Sequence, residues 1–183
     1  LYQEQMMQKR RGHALWFPQV SMTLPAELRS KGFSIGDVGN FTPDGGFDFL
    51  FNILLPANHP INGSEADVPE GFVPLDAFNQ RHVREYWEFE AGTYLASSSV
   101  ESAQVDMEYS TASEGAVLTM PHGSQRVDLS NTTTFQKYMS QNAESWYRFA
   151  NGAYCGRNLS NGELHLVYGG DKTTSWGIAT FSN

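Results

Sequence analysis

The sequence predicts an α+β fold: a mostly antiparallel β-sheet of about six to eight hairpin-connected strands, with one long amphipathic helix packed on it. Three observations carry this reading. Charged residues make up only 17% of the chain and there are 17 glycines. A chain so poor in Glu and Lys and so rich in Ser, Thr, Asn and Gly suits strands joined by tight turns better than a helix bundle. Short apolar segments alternate with polar residues and are broken by turn residues. A single stretch, Phe135, Tyr138, Met139, Asn142, Trp146 and Phe149, recurs at three- and four-residue steps, which is the spacing of one helix face. A doubly wound parallel sheet would need repeated helices.

The elements follow in chain order. Residues 1–12 are polar and charged and are expected to form a frayed helix or flexible arm, leaving residues 13–183 as a single α+β domain. Ala14–Pro18 is an apolar segment that ends at proline, expected to dock in extended form. Leu24–Gly32 reads as one helical turn with Pro25 at its start and Gly32 as its stop. Two apolar runs then flank Pro43-Asp44-Gly45-Gly46. Proline presets φ, aspartate caps its own backbone and glycine accepts positive φ, so a hairpin is expected. Phe47, Phe49, Phe51 and Ile53 alternate with Asp48, Leu50 and Asn52 as in a half-buried strand. Residues 56–80 hold four of the eight prolines and read as a long connection, with a helical turn near Leu75–Phe78. Such connections are often functional.

Three strands are expected next, at Tyr86–Ser97, Glu101–Ser110 and Gly115–Met120. The helix is placed at about 133–151, with Thr133 and Gln136 as a capping box and Asn151-Gly152 as a left-handed stop. A final hairpin would carry Leu164, Leu166 and Tyr168 on one arm and Trp176, Ile178 and Thr180 on the other, turning at Gly169–Thr174.

Charge and cysteine content narrow the function. The formal net charge is −8, whereas nucleic-acid binding needs a basic surface. The same charge disfavours an anionic membrane. Small molecules, carbohydrates or protein ligands remain. Cys155 is the one cysteine, so no intrachain disulfide forms, and a reducing, cytoplasmic setting is expected. The start Leu1-Tyr2-Gln3-Glu4-Gln5 lacks the apolar core of a signal peptide. Four Asn-x-Ser/Thr sequons begin at Asn40, Asn62, Asn131 and Asn158.

Catalytic signatures are sparse. His82 and Glu85 stand three apart, a metal-ligand spacing on a helix, but here they enter a strand and have no partner pair. His59, His122 and His165 are isolated. Arg157 beside Cys155 suits an activated thiol, although no base is near in sequence. Glu88 and Glu90 share one strand face, and only the fold decides whether they form a hydrolytic pair. Gly36–Gly39 and Gly169–Thr174 lack phosphate-loop spacing. No cofactor or metal is expected.

One resemblance is specific. Ser34–Gly39 and Asp44–Asn52, then Ser145-Trp146-Tyr147 with Asn151-Gly152, Asn161–Val167, Asp171-Lys172 and Ser175-Trp176-Gly177, resemble a domain found in many copies in mushroom-forming fungi. The resemblance spans about residues 14–182. It implies an intracellular fungal protein and no particular activity or catalytic residue.

Aromatic and polar turn residues interleave around Trp146, Tyr147, Tyr154, Tyr168 and Trp176, with Asp171. Aromatic faces beside Asn and Asp are how binding proteins hold sugars and other amphipathic ligands. The expected function is therefore a non-enzymatic recognition module using these six residues. Two alternatives come from other classes. One is a membrane-active protein whose Ser/Thr/Gly-rich strands at 93–120 refold into an amphipathic hairpin. The other is a hydrolase built on Glu88 and Glu90, or on Cys155 with a histidine.

Overall fold

The computed structural model describes residues 2–7, 12–76, 79–97, 100–102, 109–111 and 114–182. The described chain is α+β, with eleven strands, three α-helices and two single 3-10 turns. The strands are β1 (Asp37–Phe41), β2 (Phe47–Asn52), β3 (Val83–Phe89), β4 (Thr93–Ala96), β5 (Val100–Ser102), β6 (Tyr109–Thr111), β7 (Gly115–Met120), β8 (Ser124–Leu129), β9 (His165–Leu166), β10 (Gly169–Lys172) and β11 (Gly177–Phe181). They form three three-stranded sheets, ordered β2-β1-β9, β10-β8-β3 and β11-β7-β4, and a β5-β6 pair. The strand count exceeds the six to eight expected because several strands are only two to four residues long. Segments so short carry too few alternations to register as periodicity.

The chain divides into two compact units. The first comprises residues 1–16, 85–127 and 170–183, and the second residues 17–84 and 128–169.

In the second unit, β1 (Asp37–Phe41) and β2 (Phe47–Asn52) form the expected antiparallel hairpin. Its register shifts: Val38 faces Phe51 and Gly39 faces Phe49, leaving Leu50 as a bulged extra residue. Gly39 is required here, because a Cβ would lie 2.2 Å from the Asp48 carbonyl oxygen. On the other side of β1 lies β9 (His165–Leu166). Helix α3 (Thr133–Asn151) has the expected bounds and buries Phe135, Trp146 and Ala150.

Phe51 is at the centre of this core. It meets Phe72, Trp146 and Phe149 edge-on, with ring centroids 5.7, 5.6 and 5.9 Å away. Edge-to-face pairs add roughly 0.5–1.5 kcal/mol each beyond area burial. A second cluster gathers Leu28 of α2 (Ala26–Lys31), Phe49 and Ile61.

The first unit has a leaner core. Residues 2–7, expected in the polar arm, form α1 (Tyr2–Met7). Tyr2 and Met6 are buried with Ala116 and packed by Ala14, Leu95, Leu118 and Ile178. The Tyr2 ring meets Trp16 edge-on at 5.5 Å, and burial pushes its phenol up to about 12. Here β7 (Gly115–Met120) pairs antiparallel with β4 (Thr93–Ala96) and β11 (Gly177–Phe181).

Several expectations are corrected. Tyr86–Ser97 is two strands, β3 (Val83–Phe89) and β4. Gly92 at φ +80 turns the chain between them. Glu101–Ser110 is not one strand: β5 (Val100–Ser102) and β6 (Tyr109–Thr111) are separate strands that pair antiparallel with each other. Residues 103–108 lie outside the described residues, as do residues 77 and 78 of the expected turn at Leu75–Phe78. β8 (Ser124–Leu129) was not expected, since its polar residues hide the alternation.

The final hairpin does not form. Its segments become β9, β10 (Gly169–Lys172) and β11, in three different sheets. The Gly169-Gly170 pair that reads as a turn is strand, satisfied by pairing distant in sequence. The α3 capping box is also absent; the Asn131 side-chain oxygen instead accepts from Thr133 N–H at 3.2 Å. Gly152 has φ −67 and is no left-handed stop.

Candidate functional site

The second unit contains a cleft of about 360 Å³, at the small end of the roughly 300–1,000 Å³ typical of small-molecule sites. Its apolar wall is Leu24, Pro25, Phe49, Leu50, Ile61 and Phe149. Its polar side is Asn62, Asp67, Tyr154, Cys155 and Arg157. All these residues belong to the second unit.

Each wall has a local cause. The β2 bulge lets two successive residues, Phe49 and Leu50, line the same cleft; in a regular strand they would point to opposite faces. Ile61 and Asn62 are held by a buried amide network. The Asn62 side-chain amide donates to the carbonyls of Asn52, Leu55 and Pro56 at 3.0, 3.0 and 3.1 Å, and its oxygen accepts from Asn52 N–H at 2.7 Å. Asn52 in turn donates to the buried Asp37 carboxylate at 2.7 Å. Side-chain bonds thus replace the secondary structure that the 53–63 segment lacks.

Asp67 ends a single 3-10 turn (Glu65–Asp67) closed by a capping box. Its Oδ2 accepts from the Ser64 hydroxyl at 2.6 Å and the Ser64 N–H at 3.0 Å. Its Oδ1 accepts from the Tyr154 hydroxyl. The bonds from the Ser64 and Tyr154 hydroxyls hold its carboxyl below the usual carboxylate value. The same contact raises the Tyr154 phenol, so Tyr154 remains the donor at neutral pH. The Tyr154 ring is 67% exposed and lies 6.4 Å from Phe149 at 32°.

Arg157 grips Asp48 through two contacts, Nε to Oδ2 at 2.8 Å and Nη2 to Oδ1 at 3.2 Å. Burial lifts the Asp48 carboxyl above its ordinary value while Arg157 pulls it back. Burial also raises the Cys155 thiol, outweighing the opposite pull of Arg157. The thiol is therefore protonated at neutral pH, and no described histidine lines the cleft to take its proton.

The six residues singled out from the sequence have different surroundings. Tyr154 lines the cleft. Trp146 is only 2% exposed, in the core against Phe51 and Tyr138, and has no face for a ligand. The Tyr147 hydroxyl is occupied as an acceptor from the N–H groups of Gly162 and Leu164, at 2.8 and 3.2 Å. Tyr168 is exposed and does not line the cleft. Asp171 and Trp176 belong to the first unit, where Asp171 accepts from Arg126 at 3.1 Å.

Three of the histidines have local partners. His122 meets the Thr174 hydroxyl at 3.1 Å, His165 packs on the Phe41 ring at 4.6 Å, and His59 accepts from Ile61 N–H at 3.2 Å. No metal-holding group of His, Cys, Asp and Glu, including His82 with Glu85, occurs among the described residues. Glu88 lies in β3 and Glu90 beyond its end. No described helix is long and apolar enough to cross a membrane.

Sequence reasoning missed Phe49, Leu50, Ile61, Asn62, Asp67, Phe149 and Arg157 as neighbours of Tyr154. The one available signal was the long 56–80 connection, which supplies Ile61, Asn62, Gly63 and Asp67. A search of protein families, of curated proteins and of solved structures found no match to this chain.

Proposed function

We propose that this chain is a non-enzymatic recognition module that holds a small amphipathic ligand in the cleft around Tyr154. The observation that carries the reading is the composition of the cleft. Aliphatic and aromatic walls face a few fixed polar groups, and an exposed tyrosine ring stands at the rim. That combination suits binding, where apolar contact supplies affinity and a few polar groups set orientation. The protonated Cys155 thiol and the absence of a histidine among the described lining residues weigh against nucleophilic chemistry there. The resemblance to the fungal domain and the single cysteine support an intracellular fungal setting.

The test is an amide-resolved NMR titration of the full chain with a library of small sugars, aromatics and amphiphiles. A ligand of this site shifts Ile61, Asn62, Phe149 and Tyr154 together, and Tyr154→Ala abolishes the shifts. A library whose only binders perturb other residues would remove the cleft from consideration.

A further inference from the structure

The charges lining the cleft select among ligands. Arg157 is the only basic residue in the described lining, and its guanidinium is already held by both oxygens of Asp48. A bidentate pair of this kind presents little free positive charge. Arg148, in the last turn of α3, is likewise paired with Glu144 at 2.7 Å. Asp67 differs. Its partners, the Ser64 and Tyr154 hydroxyls and the Ser64 N–H, are all neutral donors. They stabilise the carboxylate without cancelling its charge.

Two further features favour positive charge at the same place. Phe149 lies in the last turn of the 19-residue helix α3, where the aligned peptide dipoles present their negative end. Phe149 and Tyr154 offer two rings inclined at only 32°, and an organic cation is attracted to such ring faces within about 6 Å of the centroid. A carboxylate, a helix C-terminus and paired aromatic faces thus converge on a cleft whose one described lining cation is neutralised.

We infer that the ligand of this cleft is a small organic ammonium compound, its cationic head over the face of the Tyr154 ring beside Asp67 and its apolar part against Phe49, Leu50 and Ile61. This inference rests on the cleft being a binding site. A free small molecule is the occupant that a volume of about 360 Å³ accommodates. Sugars and anionic ligands lack the complementary charge.

The experiment compares choline with neohexyl alcohol, its neutral carbon isostere of the same shape, by NMR titration of the full chain. Choline is expected to shift Phe149 and Tyr154 and to bind about tenfold more tightly than the alcohol, the range of a partly desolvated cation–π contact with a carboxylate nearby. Tyr154→Phe keeps the ring and should retain binding, whereas Tyr154→Ala should lose it. Asp67→Asn should cut the preference for choline, and a thermal melt reports whether that variant still folds. Because hydrogen bonds hold the Asp67 carboxyl below its ordinary value, the preference for choline over the alcohol should weaken at a lower pH than an ordinary aspartate would give, and Asp67→Asn should remove that pH dependence.

Equal binding of choline and the alcohol would overturn the inference and leave the binding-module reading intact. So would a cleft that takes some other compound and ignores choline. A cleft that no small molecule perturbs would sink both.

Discussion

The two units build stability from different materials. The second unit interlocks rings: Phe51 meets three aromatic neighbours, and Asn52 and Asn62 tie an irregular segment to the hairpin behind them. The first unit has Tyr2, Met6 and Ala116 at its centre, packed by the aliphatic residues Ala14, Leu95, Leu118 and Ile178. It also leaves large aromatics in water, with Trp87 of β3 71% exposed. The candidate site thus lies in the unit that holds the interlocked rings and the buried amides. A binding cleft needs walls that do not move, and the rings and buried amides of the second unit supply them.

Trp146→Ala should break this comparison most strongly. Removing a buried indole that touches Phe51 should cost about 3–5 kcal/mol, read as a lower denaturant midpoint and faster amide exchange across β1, β2 and α3. Exchange in the second unit no faster than in the native chain would mean that the ring cluster is not its keystone. Asn62→Ala should come next. It strands the carbonyls of Asn52, Leu55 and Pro56, at about 2–3 kcal/mol for buried polar groups left unpaired. Its effect on exchange should centre on residues 53–63, and a change spread evenly over the chain would contradict the local role assigned to the network.

The smallest effect is one of pH and belongs to the first unit. Burial raises the Tyr2 phenol from its ordinary value near 10 to about 12, so the folded state favours the neutral form. The stability this contributes is complete below pH 10 and is lost as pH rises through about 12. Melting followed against pH should therefore show a decline between those values that Tyr2→Phe reduces. An identical decline in that variant would assign it to other groups.

Local chemistry made part of this fold legible. The α3 bounds, the β1–β2 hairpin and α2 with its Pro25 start follow from periodicity and turn residues, because each is closed by contacts a few residues apart. Pairing was far less legible. The Leu164–Thr180 region looks like a hairpin, but its three strands each find a partner distant in sequence, β9 on β1 and β11 on β7 among them. Short strands carry little periodicity, and nothing local says which edge they join.

The candidate site shows the same division. Aromatic residues near the end of α3 stand out in the sequence, yet Trp146 turns inward and Tyr154 outward, a distinction of helix face and loop path. Asp67 meets Tyr154 across 87 positions, and Arg157 meets Asp48 across 109. By itself, the sequence determined the fold class, the single long helix and the acidic balance, since these depend on composition and on spacing within one element. Which side chains share the cleft was decided by tertiary structure alone: a one-residue bulge in β2 and a buried amide network set directions that only the folded chain defines.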